Sequence, residues 1–123
     1  MGTCAGMVLL ASKVTESDLQ PLCLMDIEVR RNASGRQVDS FETDLAIPAI
    51  GNEPFHAVFI RAPYIEHLGA GIETLARLED GTVVAVRKGN LLALAFHPEL
   101  GHDTRLHEYF LQMVRTSKKE TAR

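Results

Sequence analysis

Apolar residues occur along this chain in short runs whose period changes from one run to the next. Met7, Val8, Leu9, Leu10 and Ala11 are apolar nearly all round, which predicts a short buried helix from Ala5 to Lys13. Asp26-Ile27-Glu28-Val29-Arg30 alternates instead, the pattern of a strand with Ile27 and Val29 on its covered face. Phe55 to Ile60 is a compact apolar run closed by Arg61-Ala62-Pro63, so it predicts a buried strand that ends at a proline.

Downstream, Ile72 to Leu78 and Thr82 to Val86 flank Glu79-Asp80-Gly81. Asp-Gly supplies the positive φ of a tight turn, so the pair reads as a hairpin. Lys88-Gly89-Asn90 marks another turn, and Leu91 to Phe96 follows as a wholly apolar strand that delivers His97, Pro98 and Glu99 at its end. Asp103 or Thr104 is placed to cap a last helix, in which Leu106, Phe110, Met113 and Val114 recur at helical spacing. The stretch Arg31 to Glu42 is polar and aperiodic, the mark of a functional loop. With no repeat and no internal linker, residues 1–114 form a single α/β domain with a β-rich middle, and residues 115–123 a charged tail.

Composition narrows the function classes. Hydrophobic residues make up 46% and charged residues 24%, the balance of a chain that packs a core. A net charge of −3 supplies no basic face for nucleic acid. No stretch approaches the ~18 apolar residues of a membrane span. Two cysteines, Cys4 and Cys23, are too few for a disulfide framework and suit a reducing, cytoplasmic setting. Cys23 reads as a small buried hydrophobe. His56, His67, His102 and His107 show no metal-ligand spacing with one another or with Cys23.

Gly2-Thr3-Cys4-Ala5-Gly6 has the form of a nucleophile elbow, in which glycines permit a sharp strand-to-helix turn. A thiol at that helix N-terminus is expected to have a lowered pKa, with the amide of Ala5 facing the position of an oxyanion. By itself the motif fits equally a buried cysteine beside two turn glycines. His97 and Glu99 add weight, because residues two apart on an extended chain face the same way and a carboxylate there orients the imidazole. Nucleophile, base and orienting acid are thus present together, each at the edge of an apolar element.

These residues, together with the run from Arg31 to Glu42 (RNASGRQVDSFE), Phe59-Ile60-Arg61-Ala62-Pro63 and His97-Pro98-Glu99-Leu100, resemble the glutaminase subunit of pyridoxal 5′-phosphate synthase, a class-I glutamine amidotransferase. The resemblance runs from Gly2 to about Val114. It implies a flavodoxin-like fold, a central mostly parallel sheet with flanking helices and a β-hairpin. It also implies hydrolysis of L-glutamine to L-glutamate and ammonia, which passes to a synthase subunit. Cys4, His97 and Glu99 would be the catalytic triad, Ala5 an oxyanion donor, and Arg31, Ile60 and Arg61 the glutamine-binding positions. Neither a metal nor an organic cofactor is called for. Arg36 and Gln37 shape either the site or the partner surface.

The same resemblance predicts sheet strands ahead of the elbow and a Gly-Gly-Glu-Ser type loop, neither of which this sequence carries, as in a partial gene product or one with a misplaced start. Two alternatives therefore stand beside the glutaminase: a non-catalytic fragment or binding module, and an amidotransferase subunit of another biosynthetic pathway.

Overall fold

A computed structural model describes residues 1–15, 17–31 and 40–121, without the side chains of 119–121. Strand β1 (Gly2–Thr3) leads into helix α1 (Ala5–Leu10) and strand β2 (Ala11–Val14). There follow β3 (Met25–Arg30), β4 (Ser40–Leu45), β5 (Phe55–Ile60), β6 (Tyr64–Leu68), β7 (Glu73–Arg77), β8 (Val83–Lys88), β9 (Leu91–Leu94) and helix α2 (Arg105–Thr121). Single 3₁₀ turns precede β5 (Pro48–Ile50) and α2 (Pro98–Leu100).

Among the described residues the strands form three sheets, ordered β1-β9-β8-β7, β2-β3-β6 and β4-β5. The parallel pairings are β1 with β9 and β2 with β3, on either side of α1, and the others are antiparallel. One apolar core joins the sheets, with Phe55, Phe59 and Phe96, Met7, Met25 and Ile27 all buried in it. Helix α2 closes it with Leu106 and Met113.

Most elements lie where the apolar pattern puts them. The hairpin turns at Asp80-Gly81, with Gly81 at φ 90° and the Leu78 amide donating to the Thr82 carbonyl at 2.8 Å. Gly89 turns at φ 58°. At the head of α2 the Asp103 carboxylate accepts from the Arg105 amide at 3.0 Å, capping one of the amides that a helix start leaves unpaired.

Several expectations change. The first helix ends at Leu10, because the backbone of residues 11–14 pairs with β3 instead (Ala11↔Met25, Val14↔Val29). It is not buried all round either, since Leu9 is 46% exposed. β5 is covered on one face only: Phe55, Ala57 and Phe59 point inward while His56 and Ile60 stay exposed. It ends at Ile60, where the apolar run ends, but what stops it is Arg61 turning the chain at φ 45° and not Pro63. Cys23 is exposed at φ 57°, in a segment that hydrogen-bonds across to α1 and β2 without burying that thiol. Residues 115–121, expected as a tail, continue α2. Of the polar loop, Ser40 to Glu42 begin β4, and its centre, with Arg36 and Gln37, lies outside the described residues.

Candidate active site

The elbow is strained where a nucleophile would need it. Cys4 caps α1 at φ 53°, ψ −107°, a conformation that costs an L-residue energy and persists only when its surroundings hold it. Its amide donates to the Leu94 carbonyl of β9 at 2.8 Å, and its carbonyl accepts from the Met7 amide at 3.0 Å. The two glycines have different roles. A Cβ on Gly2 would sit 2.5 Å from the Gly6 carbonyl oxygen, so only glycine lets α1 fold back over β1. A Cβ on Gly6 would meet nothing within 4 Å.

Cys4 and His97 meet the same strand. The thiol donates to the Ile60 carbonyl at 3.7 Å and the His97 amide donates to the Val58 carbonyl at 2.9 Å. Carbonyls two residues apart on a strand point to the same side, so one edge of β5 receives both the elbow and the end of β9. His97 Nδ1 lies 2.8 Å from Glu99 Oε2. With Glu99 ionised, Nδ1 carries the proton and Nε2 is left as the acceptor. The pair closes across the 3₁₀ turn Pro98–Leu100, where an extended chain was expected; the turn brings the carboxylate back beneath the ring.

Electrostatics reverse one expectation. The Cys4 thiol is pushed up, not down: burial disfavours the thiolate, the Glu99 charge adds to this, and the Ala5 amide opposes both without prevailing. A thiol whose pKa is raised is made nucleophilic by a base that takes its proton. Burial also opposes the charge on Glu99, but its own backbone amide, His97 and His107 together hold its carboxyl below the usual range.

Of the glutamine-binding positions expected from the sequence, Ile60 and Arg61 stand at the end of this strand. Ile60 ends β5 with 40% of its surface exposed, and Arg61 follows it in an exposed, left-handed turn. The register Arg30↔Tyr64 sets exposed Arg31 beside that turn. What the sequence hid is the backbone: the carbonyls of Leu94, Val58 and Ile60 position Cys4 and His97, and carbonyls leave no residue-type signal. The hairpin β4–β5 also joins Glu42 and Asp44 to His56, at 2.7 and 2.9 Å, a cluster visible only once the register is known. An open cavity of 390 Å³ lies elsewhere, between β6 and the turn at Asp80–Val83. It contains no cysteine, and its acids are already engaged, Glu66 by Arg30 and Asp80 by the Thr82 amide.

The model of the SNO glutamine amidotransferase family matches residues 1–116. The chain belongs to that family. Among the family's curated relatives, pyridoxal 5′-phosphate synthase subunit PdxT of Herpetosiphon aurantiacus is 63% identical over 113 residues, covering 89% of this chain and 60% of that protein. The subunit of the same name from Moorella thermoacetica is also 63% identical, covering 92% of this chain and 60% of the relative. A solved glutamine amidotransferase structure superposes with a TM-score of 0.84 at 50% identity, over 91% of this chain and 58% of its own. The α/β glutamine amidotransferase fold expected from the sequence is thus the fold observed. Among the described residues, however, the strands form mixed sheets with two parallel and four antiparallel pairings, where a mostly parallel central sheet was expected. The chain spans about 60% of the length of the relatives named here. No helix among the described residues is long and apolar enough to cross a membrane.

Proposed function

We propose that this chain carries the thiol and acid–base machinery of a glutaminase that hydrolyses L-glutamine to L-glutamate and ammonia. The ammonia passes to the synthase subunit of pyridoxal 5′-phosphate synthase, in the cytoplasm. The observation that carries this reading is the convergence of Cys4 and His97 on one edge of β5, with Glu99 hydrogen-bonded to the imidazole. The family's name, glutamine amidotransferase, supports the substrate, and the name borne by relatives 63% identical to the chain, a subunit of pyridoxal 5′-phosphate synthase, supports the partner.

The chemistry follows from the donor set. His97 takes the proton of the Cys4 thiol through Nε2 as the sulfur attacks the side-chain amide carbon of glutamine. The amide of Ala5 donates to the oxyanion of the tetrahedral intermediate. His97 then gives its proton to the departing nitrogen, which leaves as ammonia, and a glutamyl thioester remains. A water deprotonated by His97 attacks the thioester, and glutamate departs as Cys4 regains its proton. Glu99 fixes the imidazole tautomer and stabilises the imidazolium. Arg31 and Arg61 pair with the α-carboxylate of glutamine while Ile60 packs against its chain.

The test is ammonia release from glutamine by the chain together with the synthase subunit, for the parent and for Cys4→Ala. Release that depends on Cys4 is expected, and release that survives the substitution would overturn the assignment of the nucleophile.

A further inference from the structure

The run from Arg31 to Glu42 ends in Ser40-Phe41-Glu42, and the proposed chemistry makes no use of that end. In the fold it starts β4, with Phe41 directly opposite Phe59 on β5. The two rings stack with centroids 4.5 Å apart and planes within 4°. Phe59 is buried and in turn meets Phe96, centroid to centroid at 5.4 Å. Phe96 meets Phe55 at 5.9 Å.

The inner rings of this ladder adjoin the site. Phe59 sits between Val58 and Ile60, whose carbonyls receive the His97 amide and the Cys4 thiol. Phe96 immediately precedes His97. A displacement of the Phe59 backbone is therefore passed to the residues on either side that carry the two acceptor carbonyls, and a shift of Phe96 moves the imidazole. Phe41 is 37% exposed while Phe59 and Phe96 are buried, so it is the outermost ring of the ladder and lies flat on Phe59. Stacking of this kind is orientation-dependent, unlike simple apolar burial.

We propose that Phe41 is a positioning residue for the Cys4–His97 pair, acting through Phe59 and Phe96 without touching substrate. The proposal deepens the glutaminase reading and rests on it, because it matters only where His97 serves Cys4 as base. The end of the polar run thereby gains a physical role, since an aromatic ring there sets the register and tilt of the strand that holds both reacting groups.

The experiment follows iodoacetamide alkylation of Cys4 against pH in the full 123-residue chain, with Cys23→Ser so that a single thiol reports. His97→Ala defines the profile of a thiol without its base. Phe41→Leu, which keeps apolar bulk but not the stack, is expected to lower the neutral-pH rate about tenfold towards the His97→Ala profile, with Phe41→Tyr restoring the parent rate. Melting of each variant is followed alongside, and Phe41→Ala is added where it folds. Equal profiles for Phe41→Leu and the parent, against a shifted His97→Ala profile, overturn the positioning role and leave the glutaminase reading intact. A His97→Ala profile identical to the parent overturns both. A Phe41→Tyr profile as slow as that of Phe41→Leu also overturns the role, because the stack is then not what positions the pair.

Discussion

The two halves of the candidate site are built on opposite principles. At the elbow, Cys4 is held in a left-handed conformation by backbone hydrogen bonds, and helix α1 lies so close to β1 that only glycine fits at position 2. At the other half, His97 and Glu99 leave a strand whose residues 92–94 are fully buried, and Phe96 behind them is equally covered. The elbow depends on volume being absent and the histidine end on volume being present. A thiol presented by strain is thus set against a base held on a rigid core, so that one partner is conformationally costly and the other secure.

The largest effect is expected where volume is removed from the secure half. Phe96→Ala should cost about 3–5 kcal/mol of unfolding free energy, measured by denaturant titration. A cost below about 1 kcal/mol would show that the ladder is loosely packed. Next, Gly2→Ala should cost about 1–3 kcal/mol through overpacking against the Gly6 carbonyl. Gly6→Ala, which meets nothing, should be neutral or gain up to about 1 kcal/mol of helix propensity. Equal penalties at the two glycines would remove the contrast between them.

A smaller effect tests how the halves communicate. Glu99 raises the Cys4 pKa by its charge, so Glu99→Gln should move the alkylation midpoint of Cys4 to lower pH even as it unseats His97. A midpoint that stays or rises would mean that the Glu99 charge has no part in setting the thiol. The smallest effect lies on the outer face of β5. His56 is pushed up by its hydrogen bonds to Glu42 and Asp44. A raised pKa makes the stabilising contribution fully present below the ordinary imidazole range and lost as pH rises through the folded value. His56→Gln should therefore lower the melting temperature slightly at about pH 6 and leave it unchanged at about pH 9. The opposite ordering would exclude an ion-paired imidazolium. All three side chains are exposed, so the shift is small at any pH.

Much of the fold is legible in the sequence because apolar runs and turn residues report burial directly. The extent of β5 follows from its apolar run to the residue, and the hairpin at Asp80-Gly81 follows from the positive φ its glycine needs. The first helix is shorter than its apolar run because Ala11 to Val14 suits either state by period, and the pairing offered by β3 decides between them. The exposure of Cys23 is not legible, because a lone small residue carries no period at all.

By itself the sequence determined the residue types of the site and the family, since Cys4, His97, Glu99 and the run from Arg31 to Glu42 are chemical identities that need no coordinates. It also determined that Gly2 and Gly6 flank the thiol, but not that only Gly2 is sterically required. Tertiary structure alone decided that β5 receives both Cys4 and His97, that Phe41 stacks on Phe59, and that the thiol is less acidic than its place on a helix suggests. The reason is physical: pairing register, backbone acceptors and desolvation depend on neighbours distant in sequence, whereas a motif records only what is adjacent.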